Sequence, residues 1–388
     1  MPGIYRVDRR TLLADLGRGA LAVAVLGWSA CGGDDDDGDG GDGAAASSST
    51  SSTRAAAGPA LVDRRVSFGF VSAYLLVRGR EVAVVDTGVA GSAPRIEAGL
   101  TAASASWEDV RHLVVTHHHP DHHGLSGRVR EASGAWIAMH AADATVVRRT
   151  REAKPGLWLD YLAGKLVRAG APDAHIAPLR AARASGSVGG LPGTRPALPD
   201  REIVPGELLD LAGRRLLAVW TPGHTPGHVC LHLEEAHPAG RPGNGRLFSG
   251  DHLLPGITPH IGLYEDPDDA TVTDPLGDYL DSLERVGRLA PAEVLPAHQH
   301  AFTGAAERVR ELLAHHEQRL TGLLALLAEP LTAWQVAVLM EWNRPWEQIP
   351  YGSRNIAVSE AESHLRRLVK LGRAEVAPGG DPARYVAV

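Results

Sequence analysis

From about Leu61 the apolar residues fall into short runs separated by turn-forming residues. Val71 to Val77 (V-S-A-Y-L-L-V) and Val82 to Gly88 (V-A-V-V-D-T-G), joined by R-G-R-E, predict two strands and a tight turn. Helical spacing follows over Ala93 to Ala103, and the β-branched run Arg111 to Val115 (R-H-L-V-V) predicts a buried strand. Gly134 to His140 predicts another. Asp143 to Leu179 has helix-like spacing with bulky Trp158, Leu159, Tyr161, Leu162 and Leu166, and its small, polar tail, Ala181 to Gly193, reads as a loop. Strand runs return at 208–211, 216–220, 229–233 and 246–249. Past Phe302 the period changes to that of a helix. A second helix has Thr332 as its N-cap, and a third runs from Ser359 to a stop at Gly372. R-A-E-V and A-R-Y-V-A-V, split by P-G-G-D-P, read as a terminal hairpin. The pattern alone gives an α/β protein with a helical C-terminal region.

Ahead of this patterned part the chain has a different character. A basic start with Arg9-Arg10 leads into the apolar run Ala20 to Trp28, then Ser29-Ala30-Cys31. That layout describes an export signal, resembling a twin-arginine leader with a bacterial lipidation site at Cys31. The run is too short for a transmembrane helix of about 20 residues. Trp28 departs from the aliphatic residue usual at its position, and the bland alternative is a short amphipathic helix with an incidental cysteine. The tract after Cys31, rich in Gly, Asp, Ser and Thr, has no apolar face to bury and reads as a flexible tether. The expected organisation is a signal segment (1–30), a linker (31–58), a catalytic domain (59–304) and a C-terminal domain (305–388), with the mature protein exported and membrane-attached through Cys31.

Of the 388 residues, 44% are hydrophobic and 22% charged, as in ordinary globular proteins, and the net charge of -7 gives no basic surface for nucleic acid. Two cysteines exclude a disulfide framework. The unusual count is nineteen histidines.

Thr116 to Gly124 reads T-H-H-H-P-D-H-H-G, directly after a predicted strand. Imidazole and carboxylate are the ligands that zinc and similar cations favour, and four of them on one loop exceed what one tetrahedral ion takes from one segment. Two neighbouring ions are therefore expected. Further on, T-P-G-H-T-P-G-H presents His224, L-F-S-G-D-H presents Asp251, and V-L-P-A-H-Q-H presents His298. This ordered series resembles the metallo-β-lactamase superfamily, in particular its glyoxalase-II-like hydrolases, over about residues 59–304. The resemblance implies a four-layer αβ/βα sandwich. It also implies that His117, His119 and His224 bind one metal, Asp121, His122 and His298 a second, and that Asp251 bridges them. The C-terminal helices and hairpin resemble the winged-helix domain appended to this branch. Glu360 and Glu362 beside Arg366, Arg367 and Lys370 give it no basic face, so DNA is not an expected partner.

The function implied is hydrolysis of a small-molecule ester, thioester, lactone or amide. A hydroxide shared by two divalent ions, zinc first and iron or manganese as alternatives, would attack the carbonyl, and Asp121 would move the proton. Two other classes stay open: an iron-dependent redox enzyme on the same scaffold, and a non-catalytic metal-binding protein. A lone histidine is usually a surface or satisfied core residue, and His118, His123, His228, His252 and His300 are read as neighbours of the ligands rather than ligands. Asp86, in V-D-T-G, is read as support for the metal loops. His260 and Tyr264 are candidate pocket residues, Cys230 a packed one. The 143–199 segment is either a cap over the pocket or helices packed on the sheet. The sequence leaves the substrate, the native metal and the oligomeric state open.

Overall fold

The computed structural model describes residues 61–67, 69–89, 91–152, 156–187, 196–235, 239–264 and 273–388. The expected leader, linker and Cys31 lie outside the described residues, as do residues 188–193 of the expected 181–193 loop.

Two sheets stack face to face. The first holds β1 (Leu61–Ser67), β2 (Ser72–Arg78), β3 (Glu81–Val85), β4 (Val110–Val114), β5 (Trp136–His140) and β6 (Arg201–Ile203), in chain order. β1 to β3 run antiparallel, and β3 to β6 are parallel. Helices α1 (Ala93–Ala102), α2 (Pro120–His123), α3 (Ser126–Ser133) and α4 (Ala141–Glu152) connect the parallel strands. The second sheet has the order β11-β10-β9-β8-β7, from β7 (Leu208–Leu211), β8 (Arg214–Trp220), β9 (Val229–Leu233), β10 (Arg246–Gly250) and β11 (Glu293–Pro296). Only its β10–β11 pair is parallel.

Strand alternation sorts the side chains into layers, because successive residues point to opposite faces. On β2, Tyr74 and Leu76 join Val85, Leu216, Leu231 and Phe248 between the sheets. Leu75 and Val77 point the other way, against Ile96 and Leu100 of α1 and Val129 of α3. On the outer face of the second sheet, Val219, Cys230, Leu247 and Val294 pack on helix α7 (Pro275–Leu289). The result is the expected α/β sandwich of two mixed sheets between helical layers.

Helix α7 was not singled out from the sequence, although Leu276, Tyr279, Leu283 and Val286 fall on one helical face and are fully buried. Its N-cap, Asp274, accepts the Gly277 amide at 2.9 Å and an Arg367 guanidinium N–H at 2.9 Å. The segment after β5 forms three helices, α4, α5 (Leu157–Arg168) and α6 (Asp173–Ala184), so the expected loop begins after Ala184 rather than at Ala181. Leu162, Leu166 and Leu179 of α5 and α6 share a core with Trp334 and Leu365 of the C-terminal region. These two helices pack in the core shared with the C-terminal helices, an arrangement that neither reading of the segment anticipated.

The C-terminal region runs α8 (Ala305–Leu326), β12 (Leu331–Thr332), α9 (Ala333–Leu339), α10 (Tyr351–Lys370), β13 (Ala374–Val376) and β14 (Arg384–Ala387), with strand order β12-β14-β13. Thr332 caps α9 as expected, in a reciprocal capping box with Gln335. Helix α10 begins at Tyr351, two turns before the expected Ser359. Its first turns bury Ser353, Asn355 and Ala357, small or polar residues that carry no hydropathy signal. Among the described residues no helix is long and apolar enough to cross a membrane.

Between α8 and α10 lies a buried histidine pair. His364 donates its Nδ1–H to the Glu360 carbonyl at 2.8 Å, so its Nε2 accepts from His316 Nδ1 at 3.2 Å. His316 Nε2 has no hydrogen-bond partner. Burial, with Arg319 adding and Glu360 opposing, pushes His364 down to about 4. Below pH 6.5 the unfolded chain takes up a proton that the folded pair refuses, so stability is full above pH 6.5 and is lost on acidification toward pH 4. His364 alone should contribute about 3 kcal/mol to the fall in unfolding free energy across that window, read from urea titrations at several pH values. His364→Gln should flatten the slope, and equal slopes in the two proteins would refute the assignment.

Candidate metal centre

The ligand-rich loop leaves β4 and turns at once into α2, a four-residue helix opened by Pro120. Strand and helix fix both ends of the loop, so His117, His119, Asp121 and His122 project to one side. His224 comes from the turn after β8, Asp251 from the end of β10 and His298 from the end of β11. Gly250, at φ 52°, lets the chain turn into Asp251, and any Cβ there would sit 2.6 Å from His228 Nε2.

The seven side chains converge as three overlapping groups: His117, His119 and His224; His117, His122 and Asp251; and Asp121, His122 and His298. His119 Nδ1 lies 3.1 Å from His117 Nε2 and 3.0 Å from His224 Nε2. Asp251 Oδ2 is 3.4 Å from His224 Nε2, while its Oδ1 is 3.4 Å from His122 Nε2 and 3.2 Å from His298 Nε2. Asp121 Oδ2 lies 3.5 and 3.6 Å from the latter two nitrogens. Asp251 therefore touches both halves, one oxygen to each.

The outer nitrogens of four of the five imidazoles, His117, His122, His224 and His298, have protein partners that fix the tautomer. His122 Nδ1–H donates to Asp86 Oδ2 at 2.9 Å, His224 Nδ1–H to the His260 carbonyl at 2.8 Å, and His298 Nδ1–H to the Phe70 carbonyl at 2.6 Å. Thr116 Oγ1 donates to Asp86 at 2.8 Å and so accepts from His117 Nδ1 at 3.1 Å. The inner nitrogens of His117 and His224 are thereby left bare and face His119 Nδ1, while those of His122 and His298 lie against the carboxylates. His122 Nε2 and Asp251 Oδ1 are buried with no hydrogen-bond partner. Lone pairs from several directions with no proton between them need a cation. Their separations fit the roughly 3.3 Å edge of a tetrahedron with ~2.0 Å metal–nitrogen bonds. The residues fit the metal that the chemistry implies.

The two halves differ electrostatically. Burial first, and then neighbouring imidazoles, hold His117 and His119 well below the usual histidine range; burial also lowers His224. Burial pulls His122 down too, but Asp251, Asp121 and Asp86 outweigh it and raise it well above. His298 is raised in the same way by Asp251 and Asp121. Three imidazoles are thus held neutral, ready to ligate, and the other two share protons with the carboxylates until a cation displaces them.

The other histidines are placed around this set. His228 Nε2 accepts the Asp251 amide at 3.1 Å while its Nδ1 faces Thr221 Oγ1 at 2.8 Å. His252 and His123 are buried, with His252 edge-on to Tyr279. His300 is exposed and away from the cluster, leaving His298 as the converging residue. Tyr264 bonds Asp278 at 2.8 Å rather than the centre. Cys230 is buried in β9, packed as expected.

Asp143 is the residue that the sequence reading missed. Fully buried, it accepts the His118 amide at 2.8 Å, the Thr225 hydroxyl at 2.8 Å and the Gly227 amide at 2.7 Å. It therefore joins the loop carrying His117 and His119 to the loop carrying His224. No local motif marks it, because its partners are remote in sequence.

The fold and the cluster define a class: an α/β sandwich carrying a buried His/Asp group suited to metal at the ends of its strands. Residues 66–298 match the family model described as the metallo-beta-lactamase superfamily, and the chain belongs to that superfamily. It is 26% identical over 282 residues to the probable metallo-hydrolase YqjP of Bacillus subtilis, covering 69% of this chain and 79% of that protein. It is 31% identical over 134 residues to the lactamase-like protein nscB of Aspergillus fumigatus, where the match spans only 34% of either protein. Among solved structures, the metallo-beta-lactamase family protein TTHA1429 of Thermus thermophilus superposes with a TM-score of 0.64 at 30% identity, covering 84% of this chain and 98% of that one.

Asp86 is the natural test of the outer shell. It accepts from Thr116 N at 2.8 Å as well as from Thr116 Oγ1 and His122. Asp86→Ala should weaken zinc binding about 10- to 100-fold, read by competition with a chromogenic chelator. Unchanged affinity would show that the His122 tautomer is set elsewhere.

Proposed function

We propose that the chain is a dinuclear metal-dependent hydrolase, of the glyoxalase-II-like kind, that opens the carbonyl of a small ester, thioester, lactone or amide. The observation that carries this reading is the bridging position of Asp251 between a neutral imidazole triad and an imidazole–carboxylate triad. Two divalent ions bound there, zinc before iron or manganese, would supply Lewis acidity and a water acidified to a pKa of about 7.

The chain's own residues do the rest. His117, His119 and His224 offer three neutral nitrogens, which leaves a position open to substrate. His122 and His298 complete the second half with Asp121. Asp121, mostly buried, has its Oδ2 between the His122 and His298 rings, where it can receive a proton and pass it to a leaving group. Five of the seven side chains are buried and only His119 and His298 are partly exposed, which limits bulk water and strengthens these interactions.

The order helix, strand, helix, helix, strand, strand in residues 305–388 supports a winged-helix reading of the C-terminal region. Its acidic residues among the basic ones support a packing role rather than nucleic-acid binding. Export as a lipoprotein is part of the same proposal, supported by Arg9-Arg10, the apolar run and Cys31 in the sequence.

Purified protein should hold about two equivalents of divalent metal by elemental analysis, and chelation should abolish hydrolysis of an ester, thioester and lactone panel until zinc is restored. Asp121→Ala should lower kcat/KM about 10²- to 10⁴-fold. Less than one equivalent of metal, or oxygen uptake by the iron-loaded form in place of hydrolysis, would defeat the reading. For the leader, Cys31→Ala should abolish palmitate labelling and release the protein from the membrane fraction; labelling that persists would remove the lipoprotein assignment.

A further inference from the structure

Among the described residues, five other than glycine have a left-handed backbone, with φ between 48° and 65°: Asp86, Ser104, Ala212, Ala290 and Gln299. L-residues resist this region because Cβ crowds the backbone, and such strain concentrates at functional sites. Ser104 follows helix α1, Ala212 turns β7 into β8 and Ala290 ends α7, and each has a short side chain. Asp86 uses its carboxylate to hold Thr116 and His122. Gln299, at φ 65°, directly follows the converging His298. It is exposed, so burial does not account for its strained backbone.

The chain around Gln299 is laced to its neighbours. Ala297 N–H donates to the Gly250 carbonyl at 3.0 Å, Ser72 N–H to the Ala297 carbonyl at 2.7 Å, and His298 Nδ1–H to the Phe70 carbonyl. The Gln299 carbonyl accepts from the Arg65 guanidinium, whose Nε–H donates to Ser72 Oγ at 2.9 Å. The Gln299 side chain makes the remaining tie, its Oε1 accepting the Gly256 amide at 2.9 Å. A Cβ on Gly256 would lie 3.2 Å from Gln299 Nε2, so this close approach favours glycine there.

These ties meet at the second half of the centre. Gly250 precedes Asp251, and Gly256 lies in the same 251–264 loop. His298 Nε2 stands 3.2 Å from Asp251 Oδ1 and 3.6 Å from Asp121 Oδ2. Gln299 therefore joins three segments: its backbone continues from His298, its carbonyl is bound from β1, and its amide reaches across to the loop of Asp251. The left-handed turn is what sends carbonyl and side chain to different partners.

We propose that Gln299 is a positioning residue of the centre, clamping the His298 loop to the Asp251 loop so that His298 and Asp251 keep the separation a shared cation needs. The assignment rests on the metal centre of the hydrolase reading and adds to it a residue that is not itself a ligand.

Gln299→Gly separates positioning from stability. Glycine takes φ 65° without strain, so the urea midpoint of the metal-free protein should stay at or above that of the wild type. Zinc affinity, read by competition with a chromogenic chelator, should still fall about tenfold. Gln299→Glu keeps an oxygen for the Gly256 amide and should retain the wild-type affinity. Unchanged affinity in Gln299→Gly, a midpoint that falls with the affinity, or a Gln299→Glu protein as weak as Gln299→Gly overturns the proposal. Where the wild type binds no zinc, the metal reading fails by itself, and hydrogen exchange of the metal-free proteins decides the clamp. Faster exchange in Gln299→Gly, confined to peptides covering the 251–264 loop and residue 299, upholds it, and equal exchange removes it.

Discussion

Five imidazoles and two carboxylates turned inward on one another, nearly all cut off from solvent, constrain this molecule more than any other feature. Bare ring nitrogens 3.0 to 3.1 Å apart repel unless a proton or a cation lies between them. The protein commits the protons elsewhere: His122, His224 and His298 all spend their N–H on Asp86 or on backbone carbonyls. The His117–His119–His224 triad is thereby held in the state that binds metal, while His122 and His298 share protons with the carboxylates. The cost of burying such a group is met by the surrounding hydrogen bonds in the absence of metal and by coordination in its presence.

That constraint explains why the loops are tied to each other and not only to the sheets. Asp86 anchors Thr116 and His122, Asp143 joins the His118 amide to the Thr225–Gly227 turn, and His228 receives the Asp251 amide. Each tie links two segments that carry inward-facing side chains. A displacement of one loop is therefore transmitted to the next, and the group keeps its geometry as a unit.

The sequence made the strands and the converging residues legible for two separate reasons. The strands announce themselves through β-branched runs, and the inward-facing residues through their density after those runs; His117, His119, Asp121 and His122 share a single loop. The His298 position needed more, since His300 offers the same chemistry two residues on, and only the end of β11 sends one inward and the other to solvent. Asp143 was invisible because its role is defined by partners 25 to 84 residues away. The start of α10 was missed for the opposite reason: Ser353, Asn355 and Ala357 are buried by neighbouring helices, not by hydrophobicity. Tertiary context decided both.

The C-terminal helices take a share in the centre, although none of the seven converging residues lies on them. Arg308 from α8 and Ser359 and Glu360 from α10 hold the 251–264 loop at four points, and that loop supplies both Asp251 and the carbonyl that orients His224. Asp274 and Arg367 add a further tie between α7 and α10. The core below is continuous, since Tyr279 and Leu283 of α7 share one cluster with Leu320 of α8 and Leu365 of α10. A loop fixed from the helical side holds its cluster-facing groups at a set depth. The position of Asp251 and the orientation of the His224 ring are thus set in part by helices that supply none of the seven converging side chains.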